Sequence, residues 1–519
     1  MRKKCLSILL TGAMAVGLLA GCGNGAEGTT QETGTESGSA ETGAVQGDGE
    51  TIVIAFMNWT GAPAGAERIS QKMSEITMEK FGVNVELEIM DAASYAQNMK
   101  LMLSSGEQVD IFNTAMVGYT TCINNGYVLD MEENDLIQNY GQGILDTMGD
   151  TYIDACRVNG TLYGTPEQKD NATGLWGVAI GAEYLDGIGY DYASKYDKSD
   201  EIIYTDLDEI SDIYAQLHEA YPDLYVFAPQ AATIQQAVKV DNIGGDNFGV
   251  LLDPENSLEV SDFFSSQEYY DLCKTFYDWN QAGYISKDAL NDTTGATAQV
   301  LAGTCMSYAT ATKPGIKTQE SNLCGRDMII FQCGDDFMKA SSIAGMPWCI
   351  NSGTEYPELA MQVLNELYTN PDMSNLICWG EEGVEYQETE DGHITFADGV
   401  TADNSEYYNN VNWELPNQFI AKVWEGDSLS IWDDMEKFND EAVRSKALGF
   451  SFDNSDVASE YTALTNVYDE YGTALLYGFT DPDTGIPEFV QKLQDAGLEK
   501  YIAAKQAALD AWAAENGIE

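Results

Sequence analysis

Residues 51–113 alternate short apolar runs with amphipathic stretches, and that order restricts the fold more than any other feature of the chain. "TIVIAFM" (51–57) is a continuous apolar run and predicts a buried strand. Over 64–81, Ile69, Met73, Ile76 and Lys80 recur at helical spacing with only the last polar, so one face packs inward. In "VNVELEI" (83–89), Val83, Val85, Leu87 and Ile89 alternate with Asn84, Glu86 and Glu88, the period of a strand with one buried face. A helix over 94–106 ending at Gly106 and a short strand over 109–113 complete a β-α-β-α-β order. That order implies a parallel sheet with right-handed crossovers.

The same texture returns after "NGTLYGTPEQ" (159–168), with helical patterns through "TDLDEISDIYAQLHEAYP" and "SQEYYDLCKTFYDWNQAG". A strand-like piece at 347–351 precedes "YPELAMQVLNELYTNP", where Pro357 sits near the helix start and Leu359, Val363 and Leu367 share a face. A chain of 519 residues with 44% hydrophobic composition has material for at least two cores. The expected partition is a first lobe over 51–168, a second over 169–325, a return to the first over 326–374, and completion of the second over 375–519. In the last part Leu498, Ile502, Leu509 and Trp512 mark the packing stripe of a terminal helix.

Arg2, Lys3 and Lys4 open the chain, residues 5–20 are apolar or small, and polar sequence follows Gly21-Cys22, the layout of an export signal over 1–21. The apolar run is shorter than the roughly 20 residues that a membrane-spanning helix needs. Leu19-Ala20-Gly21-Cys22 resembles the bacterial lipoprotein processing box. The resemblance implies that the Cys22 thiol is lipidated and that the protein sits on the extracellular face of the cell membrane through that anchor. Residues 22–50, without an aromatic side chain, read as the anchor and a disordered linker. "GNGAEG" (23–28) satisfies the dinucleotide pattern G-x-G-x-x-G but lacks the strand and helix that would aim its amides, and is rejected.

Lys and Arg number 25 against 84 Asp and Glu, a net charge of -59, which excludes nucleic acid as a partner and leaves neutral ligands as the easier case. Eight cysteines fall in the folded body without metal-finger spacing; buried free thiols are the default, with a bridge or two left open. With two histidines in the chain, no multi-histidine zinc site is expected, and no other metal or cofactor. There is no G-x-S-x-G elbow, H-E-x-x-H helix or Walker A loop. A glycoside hydrolase would need two carboxylates facing one sugar bond, and among so many acidic residues proximity in sequence carries no information.

"KLMLSSGEQVDIFN" and "RVNGTLYGTPEQ", followed by "NLICWGEEGVEY" (375–386), "SKALGFSFD" (445–453) and "KLQDAGLEKYIAAKQAALDAW", resemble in their order the carbohydrate-type extracellular solute-binding proteins of ATP-driven (ABC) importers. The resemblance covers nearly all of 51–513. It implies an α/β, two-lobed, type II periplasmic-binding-protein-like fold, with parallel-type sheets flanked by helices and a hinged interlobe cleft. It also implies a monomeric, non-enzymatic receptor that passes a neutral oligosaccharide to the transmembrane subunits of a permease. Two places depart from the pattern. Glu381 precedes Glu382 where an apolar residue is usual, and "DPDTG" (481–485) is only a fragment of the calcium loop that some relatives carry.

In open α/β sheets ligands bind beyond the carboxyl ends of the strands. That rule selects Asn58 and Trp59 after the first strand, Asp91 after the second, and Asn113 with Thr114 after the third. An indole stacks on the C–H face of a sugar, while Asn, Asp and Gln bond its hydroxyls. Of the nine tryptophans, Trp279, Trp432 and Trp512 lie in helical stripes and read as core. Trp59 reads as a ligand contact ahead of core packing; Trp176, Trp348, Trp379 and Trp413 are candidates for either role. Gln168 and Glu382 are candidate hydroxyl partners, with a solvated surface role as the competing reading. Aromatic side chains also line peptide clefts, so a peptide or metabolite receptor is the third alternative beside the oligosaccharide receptor and the hydrolase.

Overall fold

The computed structural model describes residues 44–518 apart from 60, 197–201, 231–236, 403 and 410. Cys22 and the whole leader lie outside the described residues. Residues 45–50, expected to belong to the linker, are instead part of the body. The Val45 N–H donates to Gln362 Oε1 at 2.7 Å, and the Asn84 N–H donates to the Glu50 carbonyl at 2.7 Å. Val45 also packs its apolar side chain against the first core, which the polar residues around it conceal in the sequence.

Strand β1 (Thr51–Asn58) lies between β2 (Asn84–Asp91) and β3 (Ile111–Asn113) and runs parallel to both, with Asn58 opposite Asp91. Ile52, Ile54 and Phe56 enter one core while Ala55 and Met57 enter the other, so the unbroken apolar run reflects a strand covered on both faces. Trp348–Ile350 adds to the free side of β3, antiparallel.

β2 is an edge strand, and helix α1 (Ala66–Phe81) completes its hydrogen bonding. The buried stripe of α1 is Ile69, Ser70, Met73 and Thr77 rather than the expected Ile69, Met73, Ile76 and Lys80. The reason is chemical. Ser70 Oγ accepts from the Leu87 N–H at 2.9 Å, Ser74 Oγ accepts from the Val85 N–H at 2.8 Å, and Thr77 Oγ1 donates to the Val83 carbonyl at 2.8 Å. Hydroxyls thus stand in for the missing neighbouring strand. Lys80 is exposed and pairs with Glu366. Helix α2 (Ala92–Ser105) starts at Asp91, whose carboxylate accepts from the Ala93 N–H, and stops at Gly106 in the left-handed conformation.

The second sheet is built around Thr173–Gly181, which pairs antiparallel with Cys305–Thr312, Met328–Gln332 and Asp336–Met338. Tyr225–Ala228, Ile202–Tyr204 and Val443–Arg444 add parallel to those three, making seven strands among the described residues. The sheet is therefore mixed, a correction to the parallel-type expectation. Thr173–Gly181 leaves the other lobe and runs outward, whereas the strands fed by helices run back toward the lobe boundary.

Met328–Gln332 and Asp336–Met338 belong to this second sheet, so the chain returns to the first lobe at 339–347 and not at 326. Met373, Ile377, Cys378, Tyr407 and Leu415 then pack in the first core, and the second lobe resumes with Val443–Arg444. Helices Ala458–Leu476, Pro482–Asp495 and Leu498–Asn516 close it, placing Leu464, Phe489, Leu498 and Tyr501 in one cluster with Phe264 and Tyr269. The terminal helix buries Leu498, Tyr501, Lys505 and Leu509. Lys505, a cation in the predicted apolar stripe, has no exposed surface and pairs with Asp246 at 3.0 Å.

All eight cysteines of the body are free thiols, and burial pushes those of Cys122, Cys273 and Cys305 up to about 12. Asp481 and Asp483 in the calcium-like fragment serve otherwise. Asp481 caps a helix by accepting from the Asp483 N–H, and Asp483 accepts from the Tyr270 hydroxyl. Among the described residues no helix is long and apolar enough to cross a membrane.

Candidate functional site

The carboxyl ends of β1 and β3 and the segments that cross between the lobes meet around a cavity of about 350 Å³. Met57, Ala115 and Met116 line it from the first lobe, Lys169, Asp170, Asn171 and Thr173 from the first crossing, and Lys339, Ser341 and Met346 from the second. Trp413 forms another part of the wall, with Lys169 Nζ 5.6 Å from its ring centroid. Met116 is more than half exposed and holds a left-handed backbone (φ 59°), a conformation that costs energy in a non-glycine residue and is concentrated at binding sites. Asp170 pairs with Lys313 at 2.7 Å, and burial draws Lys339 below the ordinary lysine value.

Beneath this wall sits a layer of buried polar groups. Asn113 Nδ2 donates to Glu167 Oε1 at 2.9 Å and to the Met346 carbonyl at 2.7 Å, while its Oδ1 accepts from the Ala115 N–H at 2.7 Å. Glu167 is fully buried, and desolvation lifts its carboxyl to about 8. Glu414, also fully buried, is raised by burial and then by Glu167; its Oε1 accepts from the Met57 N–H at 3.4 Å. Neither carboxylate is exposed to the cavity, so this pair does not have the outward-facing geometry of a glycosidase.

The ten positions expected to bind ligand separate into three groups. Trp413 lines the cavity, and Trp59, 52% exposed, lies two residues after the lining Met57 in the chain. Asp91 is exposed beside Asn58 but spends one carboxylate oxygen on capping α2. Asn58 and Asn113 are fully buried and shape the site from below; Asn58 Nδ2 donates to the Tyr408 carbonyl at 3.2 Å. Gln168 ties the first crossing to the first-lobe segment around Pro416, its N–H donating to the Pro416 carbonyl at 2.9 Å.

The remaining four do not line this cavity. Trp348 is fully buried, its ring tilted against Phe56 and its indole N–H donating to the Glu414 carbonyl at 2.7 Å. Trp176 holds φ 54° at an irregularity of the central strand, stacks on the buried Phe276 and lines a separate second-lobe cavity. Trp379 packs against the first core with its N–H on the Lys422 carbonyl, and Glu382 is an exposed partner of Lys422. The neighbouring Glu381, the departure from the expected pattern, is held by Arg68 at 3.1 Å and Lys72 at 3.3 Å. Sequence reasoning missed Met116, Lys169 and Lys339. Lys169 directly follows Gln168 and Met116 lies two residues after Thr114, whereas Lys339 has no local signal because its crossing is set by the pairing of distant strands.

Two lobes built on separate sheets, joined by several crossings and with strand ends facing a cavity between them, define a type II solute-binding-protein fold. Solved structures agree: the N-glycan transport solute-binding protein NgtS of Streptococcus pneumoniae superposes with a TM-score of 0.76 at 23% identity over 89% of this chain and 98% of that one. The same protein in complex with Man5GlcNAc gives 0.65 at 23%, again over 89% and 98%. A curated Streptococcus pneumoniae protein named carbohydrate ABC transporter substrate-binding protein is 24% identical over 469 residues, covering 89% of this chain and 91% of the relative. Residues 446–514 match the family described as a domain of unknown function, DUF3502.

Proposed function

We propose that this protein is the surface-anchored substrate-binding component of an ABC importer, lipidated at Cys22, that captures a neutral oligosaccharide between its lobes and delivers it to a membrane permease as a monomer. The observation that carries the reading is the interlobe cavity at the strand ends, with Trp413 in its wall and the exposed Trp59 two residues beyond the lining Met57. An indole face beside amide and hydroxyl groups suits the C–H surface and hydroxyls of a sugar. The glycan complex of a relative with the same fold supports this choice of ligand class. Hinge bending at the crossings would close the lobes over the sugar and create the surface read by the permease.

Stacking contributes about 0.5–1.5 kcal/mol per aromatic contact beyond area burial. Trp59→Ala and Trp413→Ala are each expected to weaken oligosaccharide binding by about tenfold in calorimetric titration, without lowering the melting temperature by more than a few degrees. Unchanged affinity in both variants would remove this site assignment.

A further inference from the structure

We propose that a row of aromatic rings beside the cleft lip, Tyr408, Phe396, Trp424 and Trp379, forms a second carbohydrate-binding zone that holds the outer residues of a long or branched glycan. The proposal rests on the reading of the cavity as an oligosaccharide site and adds the size of the ligand to it.

The rings form one continuous series. Tyr408 and Phe396 have centroids 6.0 Å apart, Phe396 and Trp424 4.8 Å, and Trp424 and Trp379 5.4 Å. Tyr408 is 38% exposed and the other three are half-buried, so each keeps part of its ring in solvent. Backbone alternation sets the direction of Tyr408. Its neighbours Tyr407 and Asn409 are buried, donating to the same Ile377 carbonyl at 2.8 and 3.0 Å, which turns the ring between them outward. Trp379 and Trp424 are fixed as well. The Trp379 N–H donates to the Lys422 carbonyl at 3.0 Å, and the backbone on either side of Trp424 pairs with Ile394 through two 2.8 Å bonds.

One hydrogen bond and a short stretch of chain link the row to the cavity. Asn58, at the end of β1, donates to the Tyr408 carbonyl, and five residues further along the same segment Trp413 enters the cavity wall. At about 350 Å³ the cavity lies near the lower end of the range of about 300–1,000 Å³ typical of ligand pockets, so a large glycan seated there must project beyond it. Fixed aromatic faces next to the exit offer stacking without the cost of ordering the side chains on binding. The row ends beside polar groups able to bond sugar hydroxyls, Lys422 and its partner Glu382.

The test uses calorimetric titration of the mature chain with two neutral glycans, the disaccharide Man1GlcNAc and the branched Man5GlcNAc. The wild type is expected to bind the larger glycan more tightly. Tyr408→Ala is expected to lose about five- to tenfold for Man5GlcNAc while binding to the disaccharide stays within about twofold. Phe396→Leu, which keeps an apolar support, gives the same pattern in smaller measure and guards against a folding defect in the first variant. Equal loss for both glycans, or no loss for either, overturns the outer zone while leaving the cavity reading intact. Absence of binding to both glycans by the wild type overturns the two together.

Discussion

The Asn113 carboxamide donates to the Glu167 carboxyl at 2.9 Å, tying the end of β3 to the first crossing between the lobes. Because the crossing carries Lys169, Asp170 and Asn171 into the cavity, this buried bond helps to set the position of the site wall.

Burial of the Glu167 carboxyl, which the Asn113 bond only partly offsets, has a pH consequence. Glu167 holds its proton up to about 8 in the fold, against 4.5 when exposed, so unfolding releases a proton between those values. The contribution is fully present below about 4.5, declines as pH rises, and is lost above about 8, with a slope of up to about 1.4 kcal/mol per pH unit. Glu414, raised in the same direction, adds to the trend. Urea unfolding from pH 5 to 8 should therefore show a smaller loss of stability with pH in Glu167→Gln than in the wild type. Parallel curves for the two proteins would exclude an elevated Glu167.

The buried cation of the terminal helix gives a second expectation. Lys505 Nζ donates to Asp246 and to the Gly249 carbonyl, and the Tyr501 hydroxyl donates to the other Asp246 oxygen at 2.7 Å. Lys505→Met leaves the carboxylate buried without its counter-charge, and about 3–5 kcal/mol of stability should be lost in urea denaturation. Tyr501 and Lys505, both within the DUF3502 match, thus tie the terminal helix to the second-lobe segment at Asp246 and Gly249. A loss below about 1 kcal/mol would contradict this role.

Trp348 separates packing from binding. Its ring fills the core and its N–H is bonded, so Trp348→Ala should cost about 3–5 kcal/mol in denaturant unfolding, the range for deleting a buried aromatic ring. A variant that is as stable as the wild type and yet fails to bind sugar would return Trp348 to the cleft.

The first sheet was legible in the sequence because β1, β2 and β3 follow one another with short connections and each carries its own periodicity. The strand-end rule leads to the neighbourhood of the cavity, because Met57 and Ala115, beside Asn58 and Asn113 in the chain, line it. Other features depend on contacts between distant segments. Ser70 and Thr77 look like ordinary polar helix residues until β2 is known to be an edge strand. Trp348 and Trp413 carry the same chemistry and both lie near a proline, yet one is opposite Asn113 in a strand and the other stands in the cavity wall. Lys505 could be recognised as core only from Asp246, more than 250 residues away. The second lobe's sheet was misjudged because the direction of Thr173–Gly181 is set by its crossing rather than by local sequence.

The most direct measurement is calorimetric titration of the mature protein with neutral mannose-, xylose- and glucose-based oligosaccharides, with chromatography of each mixture afterwards. Saturable binding of at least one glycan, recovered intact, is the predicted result. Cleavage of a bound glycan would instead establish a hydrolase, and silence toward every glycan while peptides bind would contradict the carbohydrate receptor.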